Sequence, residues 1–136
     1  MGKILGIDYG DARVGLAITD ALKITAQPMD TLPIHSDSSI LIDKIKDIMK
    51  ETKLEAVVIG YPRHLNGDVS ETAKKVDKVI EEIETLGIKV VKWDERLTTV
   101  MAHKTMKELG IKQKEKKIHA DRLAAMYILE DYINSL

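Results

Sequence analysis

The residues of this sequence best equipped for chemistry are carboxylates at the ends of apolar runs. Asp8 ends a run that begins at Lys3. Asp94 and Glu95 end a run over residues 89–93, and Asp121 falls in the first turn of a helix expected over residues 119–133. Carboxylates brought together repel one another, so a folded cluster calls for a neutralising positive charge. A divalent cation supplies it directly. Two such cations about 4 Å apart can activate water and stabilise the leaving oxygen of a phosphodiester. Spacing alone also admits a plainer reading. Asp8 would form a turn, Glu95 would pair with Arg96 or Arg122, and Asp121 would cap a helix or favour its positive end. Asp8 is the strongest member of the set, because a charge directly after an apolar strand and before Tyr9-Gly10 is costly unless used.

These carboxylates need elements to carry them. Residues 3–8 read as a strand that runs into the polar turn Asp8-Tyr9-Gly10-Asp11. Residues 13–18 read as a second strand, and so short a turn between them implies an antiparallel hairpin. A third strand is expected within residues 29–34, where Pro28 and Pro33 point to an edge position. Leu41, Ile45, Ile48 and Met49 then fall at helical spacing, with residues 36–39 offering serines as candidate N-caps. Residues 56–59 form a compact apolar run stopped by Gly60-Tyr61-Pro62, as in a strand buried on both faces. Residues 69–86 read as a helix with Ala73, Val76, Ile80 and Ile83 inward and Gly87 as C-cap. A strand follows over 89–93, then a helix from about Thr98 to Leu109, a basic linker over 112–117, and the last helix with Leu123, Ala124, Tyr127, Ile128 and Tyr132 along one face. This order implies a single α/β domain over residues 1–136. Its five-stranded mixed sheet would have three antiparallel strands followed by two parallel ones, with helices on both faces. Sites in such sheets gather at the carboxyl ends of the strands.

Composition narrows the chemistry. The chain has no Cys, which excludes disulfides, thiolate metal sites and a cysteine nucleophile. Any metal is therefore held by oxygen or imidazole donors, which favours Mg²⁺ or Mn²⁺. One Trp, four Tyr and no Phe leave little for a platform that stacks several bases. With 21 basic and 22 acidic residues, nucleic-acid binding would have to come from a local patch. An acidic residue at position 8 comes too early for a signal peptide, and no apolar run approaches the roughly 20 residues of a membrane span. A cytoplasmic protein with no membrane partner is expected.

Candidates for that patch surround the carboxylates. Gly10 would let the backbone approach a phosphate, or serve as a plain turn glycine, and the two roles are compatible. Arg13, Arg63, Arg96 and Arg122 lie near expected strand ends or the start of the last helix, where a guanidinium can grip phosphate through two hydrogen bonds. Each can equally be a surface charge. His64 could donate to a phosphate or idle in a loop. Lys112, Lys114, Lys116 and Lys117 form the marked basic run, able to gather nucleic-acid backbone or to remain a solvated face. Trp93 reads as core packing.

The motifs also resemble a known family. Gly6-Ile7-Asp8-Tyr9-Gly10, then Arg13-Val14-Gly15-Leu16-Ala17 and Asp20, resembles the amino-terminal signature of the YqgF (RuvX) family. Val58-Ile59-Gly60-Tyr61-Pro62 with Asn66-Gly67 resembles its central motif, and Asp94-Glu95-Arg96-Leu97-Thr98-Thr99 its DERLTT motif. Lys116-Lys117, Asp121, Ala124-Ala125, Ile128-Leu129 and Tyr132 resemble its carboxyl-terminal pattern. Four motifs in order over essentially the whole chain make the resemblance specific. It implies a ribonuclease H-like fold and a nuclease that matures the 5′ end of the small-subunit (pre-16S) ribosomal RNA precursor, with kinship to Holliday-junction resolvases. Asp8, Glu95 and Asp121 match the family's acidic site, and Asn66 falls in its central loop. The sequence departs from the family pattern at Tyr61, Arg63 and His64, and no acid ends the strand over residues 56–59.

Three functional classes follow. One is a Mg²⁺- or Mn²⁺-dependent nuclease acting on an RNA precursor or on branched DNA. The second is a non-catalytic nucleic-acid or ribosome-assembly module. The third is an ATP-binding lobe, since Gly6-Ile7-Asp8-Tyr9-Gly10 also resembles a phosphate-binding motif of the actin and sugar-kinase superfamily. Those proteins pair two lobes, and one lobe would use the whole chain. A monomer suffices to trim one RNA end, whereas resolving a junction calls for a homodimer.

Overall fold

The structure, a computed structural model, describes residues 2–10, 13–29, 31–33, 38–61, 71–94 and 113–136; the side chains of residues 71, 72, 94 and 113–122 lie outside that description. Strands β1 (Lys3–Tyr9) and β2 (Arg13–Thr19) form the expected antiparallel hairpin, with Asp8 opposite Gly15. The turn closes where Gly10 N–H donates to Arg13 O at 2.9 Å. A Cβ on Gly10 would stand 2.8 Å from that same carbonyl oxygen, so the turn itself requires glycine.

The third strand of the sequence reading is split and displaced. β3 (Ala26–Pro28) and β4 (Leu32–Pro33) both pair with β2, giving six strands rather than five. The edge position is as expected. The interruption has a backbone cause: proline lacks the N–H that a continuous ladder needs, so each short strand stops at one.

Helix α1 (Ser39–Glu51) buries Leu41, Ile45 and Ile48. Ser38 stands at its N-cap position, yet its hydroxyl makes no cap bond and instead donates to the Glu82 carboxylate at 3.1 Å. β5 (Leu54–Tyr61) runs parallel to β1 and is buried from residue 56 to 61, as its unbroken apolar run implied. The register between β1 and β5 shifts at Lys3/Ile4, where the buried Thr19 hydroxyl accepts the Ile4 N–H at 2.8 Å. Helix α2 (Glu71–Glu84) buries Ala73, Val76, Val79, Ile80 and Ile83, and Gly87 follows it at φ +82°. That left-handed backbone favours glycine. β6 (Lys89–Asp94) pairs parallel with β5.

The last described element is α3 (Gln113–Asn134). It corrects the linker reading of residues 112–117, because helix covers Lys114, Lys116 and Lys117. Gln, Lys and Glu are good helix formers, and residues 113–134 contain neither Gly nor Pro to stop the helix. The helix expected from Thr98 to Leu109 lies outside the described residues.

The sheet order β3-β2-β1-β5-β6 puts β1 at the centre. Successive side chains on β1 point to opposite faces. Leu5, Ile7 and Tyr9 enter a core with α1 and α2, while Ile4 joins a second core with Ala125, Ile128 and Leu129 of α3. Gly6 and Asp8 follow Ile4 on that second face. The fold is the expected mixed α/β sheet with helices on both sides.

Candidate active site at the carboxyl edge of the sheet

β1, β5 and β6 run parallel, so their carboxyl ends share one edge of the sheet. Ile7, Ile59 and Lys92 form one rung across the three strands. Asp8 comes one residue later, level with Gly60 and Trp93. Its neighbour across β2 is Gly15. The half-buried Asp8 is thus flanked on both adjoining strands by glycines. Arg13 lies two residues before Gly15 on β2, hence on the same face, and is half-buried. Asp8, Gly10 and Arg13 therefore meet at the carboxyl edge.

The face that carries Asp8 is also the face α3 covers. A Cβ on Gly6 would lie 3.0 Å from Ala125 O and 3.0 Å from Leu129 Cβ, so the helix backbone rests directly on the strand. Asp121 occupies the helix position one turn before Ala125. Asp94 is the last residue of β6, paired with Tyr61. Glu95, Arg63, His64, Asn66 and Arg96 lie outside the described residues. Lys114, Lys116, Lys117, Asp121 and Arg122 are located on α3 by backbone only. Among the described residues, no three His, Asp or Glu side chains gather around one point.

The donor set fits a hard divalent cation. Asp8 offers oxygen donors beside two side-chain-free positions, and the chain has no thiol to favour a softer metal. Glu95 and Asp121 match in type, being carboxylates that follow β6 and occupy α3 respectively.

Two residues singled out by sequence take structural parts. Asp20, in the amino-terminal signature, accepts the N–H groups of Thr25 at 2.9 Å and Ile24 at 2.8 Å, and the Thr25 bond foremost holds its carboxyl below the ordinary range. It builds the turn after β2. Trp93 stacks on Tyr132 of α3, with ring centroids 5.9 Å apart and planes at 21°. This is packing between β6 and α3, as expected. One group was not visible in sequence. Tyr61 Oη donates to Asp77 Oδ2 at 2.8 Å, Lys92 Nζ lies 3.0 Å from Asp77 Oδ1, and Lys92 Nζ stands 4.6 Å from the Tyr61 ring centroid. The hydrogen bond from Lys92 is the chief cause holding the Asp77 carboxyl below its usual range, and Tyr61 adds to it. The only sequence signal for this group was that Tyr61 stands where leucine is usual.

A family model described as RuvX, Holliday junction resolvase, matches residues 2–135. A relative from Acetivibrio thermocellus, named as a proposed pre-16S rRNA nuclease, is 42% identical over 135 residues, covering 98% of this chain and 96% of its own. One of the same name from Ruminiclostridium cellulolyticum is 40% identical, covering 98% of this chain and 95% of its own. Among solved structures, Thermus thermophilus RuvC in complex with a Holliday junction substrate superposes with a TM-score of 0.57 at 18% identity, over 99% of this chain and 96% of that one. The fowlpox virus Holliday junction resolvase gives a TM-score of 0.54 at 14% identity, over 98% of this chain and 99% of that one. At such identities the structural likeness speaks for the fold.

Proposed function

We propose, from the premise that this chain belongs to the RuvX family, that it is a metal-dependent nuclease hydrolysing phosphodiester bonds in structured nucleic acid, with the 5′ end of the pre-16S ribosomal RNA precursor as substrate. The observation that carries the chemistry is Asp8, set at the carboxyl edge between Gly15 and Gly60. Asp8, Glu95 and Asp121 would hold Mg²⁺ or Mn²⁺, in a pair if the site follows the two-cation pattern. When bound, the cations would neutralise the carboxylates and the charge that develops on the scissile phosphate.

The chain's own residues divide the remaining work. Gly10 and Arg13, beside Asp8, would receive a phosphate, Arg13 through paired hydrogen bonds. Arg63, His64, Asn66 and Arg96 follow β5 and β6 in sequence and would contact the nucleic acid near the cut. Lys114, Lys116, Lys117 and Arg122 on the amino-terminal part of α3 would bind backbone without reading sequence. Water attacks phosphorus, the 3′ oxygen departs, and the downstream product keeps its 5′ phosphate. Such a task places the protein in the cytoplasm, beside the assembling ribosome. A second reading, Holliday junction resolution, is favoured by the family description and the shared fold, and would call for a homodimer.

The test uses 5′-labelled precursor rRNA, unstructured single-stranded RNA and a four-way DNA junction, each with Mg²⁺, Mn²⁺ or EDTA. Wild type should cut the precursor in either metal and in neither case with EDTA. Asp8→Asn should lower the rate by at least about a hundredfold, the scale of losing one transition-state stabiliser, with its melting curve intact. Preference for the junction would select the resolvase reading. A fully active Asp8→Asn protein would remove Asp8 from the site. Metal-independent binding without cleavage would turn the assignment to a non-catalytic assembly module.

A further inference from the structure

β6 is the edge strand of the described sheet, with β5 as its hydrogen-bonded neighbour, and Glu95 is the residue that follows it. An edge strand held by one ladder is free to twist and lift at its end. A carboxylate that binds a cation needs its backbone fixed to within about 0.5 Å. The last rung of β5 and β6 is Tyr61 with Asp94. On the α2 side of that rung, Tyr61 and Lys92 both bind the Asp77 carboxylate. On the α3 side, Trp93 stacks on Tyr132. The end of β6 is gripped from both faces in the residues directly before Glu95.

We propose that Tyr61, Asp77 and Lys92 are positioning residues that tie α2 to the carboxyl end of β6 and thereby hold Glu95 in place for cation binding. The proposal rests on the metal-site reading above. Its basis is geometric: three groups from three elements meet through two hydrogen bonds and a cation–ring contact. The Lys92 and Asp77 side chains are each about half exposed, at 51% and 41%, and such pairs contribute little to stability. What the group supplies is a fixed angle between strand end and helix.

Electrostatics gives the test a sign. Lys92 is a cation three residues before Glu95 in sequence, so its removal would strengthen metal binding if charge alone mattered. Positioning predicts the reverse. Mn²⁺ would be titrated calorimetrically into wild type, Tyr61→Phe, Lys92→Met, Lys92→Arg and Asp8→Asn, each with a thermal melt. Tyr61→Phe keeps the ring and loses only the hydroxyl. Tyr61→Phe and Lys92→Met should bind Mn²⁺ about tenfold more weakly, as when a partner that orients a metal ligand is lost. Both should melt within a few degrees of wild type, and Lys92→Arg should restore affinity. If wild type binds Mn²⁺ and Asp8→Asn does not, but Tyr61→Phe and Lys92→Met bind as wild type or more tightly, the positioning role is overturned while the site stands. Lower melting temperatures with unchanged affinity would overturn it in the same way. If wild type itself binds no Mn²⁺, the site reading fails and the positioning role falls with it.

Discussion

The two faces of the sheet are built from different side chains. Toward α1 and α2 the core is large and aliphatic, with Leu5, Ile7, Leu16, Leu41, Ile45, Ile59 and Ile83 essentially inaccessible to solvent. Toward α3 small and large residues mix: Gly6, Ala17, Ala26, Ala56 and Ala125 stand among Ile4, Val58, Ile128 and Leu129. Bulky residues hold a helix off the sheet and bury much apolar area, each contributing roughly 1.5–3 kcal/mol. Small residues give up that burial and allow close approach. The α3 backbone lies against Gly6, two residues from Asp8 on the same face. The aliphatic face is the one expected to carry more of the stability, while the other brings a helix bearing Asp121 close to the strand bearing Asp8.

The sharpest way to break this division is to cut into the large face. Ile59→Ala should cost about 2–5 kcal/mol, because it deletes a fully buried side chain from a packed core. That is a large share of the roughly 5–15 kcal/mol holding a domain folded. The surviving folded fraction should keep its cleavage rate per molecule, measured by urea melts and by activity normalised to folded protein. A variant at native stability, or one that loses activity well beyond its unfolded fraction, would show that the faces are not separate.

Gly6→Ala tests the small face with a smaller expected loss. The new methyl would lie 3.0 Å from a backbone carbonyl and 3.0 Å from Leu129 Cβ, neither the free end of a flexible side chain. The helix must give by a few tenths of an ångström, at a cost of about 1–3 kcal/mol. Because α3 carries Asp121 of the proposed site, this shift should depress cleavage more than its stability loss accounts for. The comparison with Ile59→Ala is the measurement: equal activity per folded molecule in both variants would contradict it.

Much of this was readable from residue order, and the reasons differ by element. The hairpin was legible because Asp8-Tyr9-Gly10-Asp11 leaves room only for a tight turn, and β5 because its apolar run is too short for a helix. α2 announced both its buried stripe and its stop, since Gly87 adopts a backbone that glycine favours. The start of α3 was hidden because its amino-terminal part is charged and its remainder is apolar on most sides, so periodicity marked no boundary there. β4 fell within the expected edge strand, while β3 escaped because edge pairing against β2 is set by tertiary contact rather than by a strong local signal. In the proposed site, Asp8 stood out by its local context. The glycines beside it did not, since Gly15 and Gly60 become its neighbours only through strand register. Tyr61, Asp77 and Lys92 come from three elements, and no spacing rule joins them.

The smallest expected effect compares carboxylates on the two helices as pH changes. Asp77 on α2 is held below its usual range, first by Lys92. A lowered folded-state pKa gives stability that is present above the unfolded value near pH 4 and is lost as pH falls through the folded value. Glu130 on α3 is shifted the other way, first by burial and then by the neighbouring Asp131 charge. Its raised pKa favours the folded state below the unfolded value, and that contribution is lost as pH rises through the folded value. Asp77→Asn should therefore destabilise slightly at pH 7, and Glu130→Gln should stabilise slightly, each by less than about 1 kcal/mol. The Glu130 difference should shrink as pH falls through its raised folded value toward the unfolded one, and the Asp77 difference should begin to shrink only below the unfolded value near pH 4. Melting temperatures of the two variants and wild type across pH 3–7 give the answer. Curves that stay parallel to wild type would mean neither carboxylate senses its helix, whereas opposite-signed divergence above pH 4 would show that the large face has satisfied its charge while the close-packed face carries an uncompensated one.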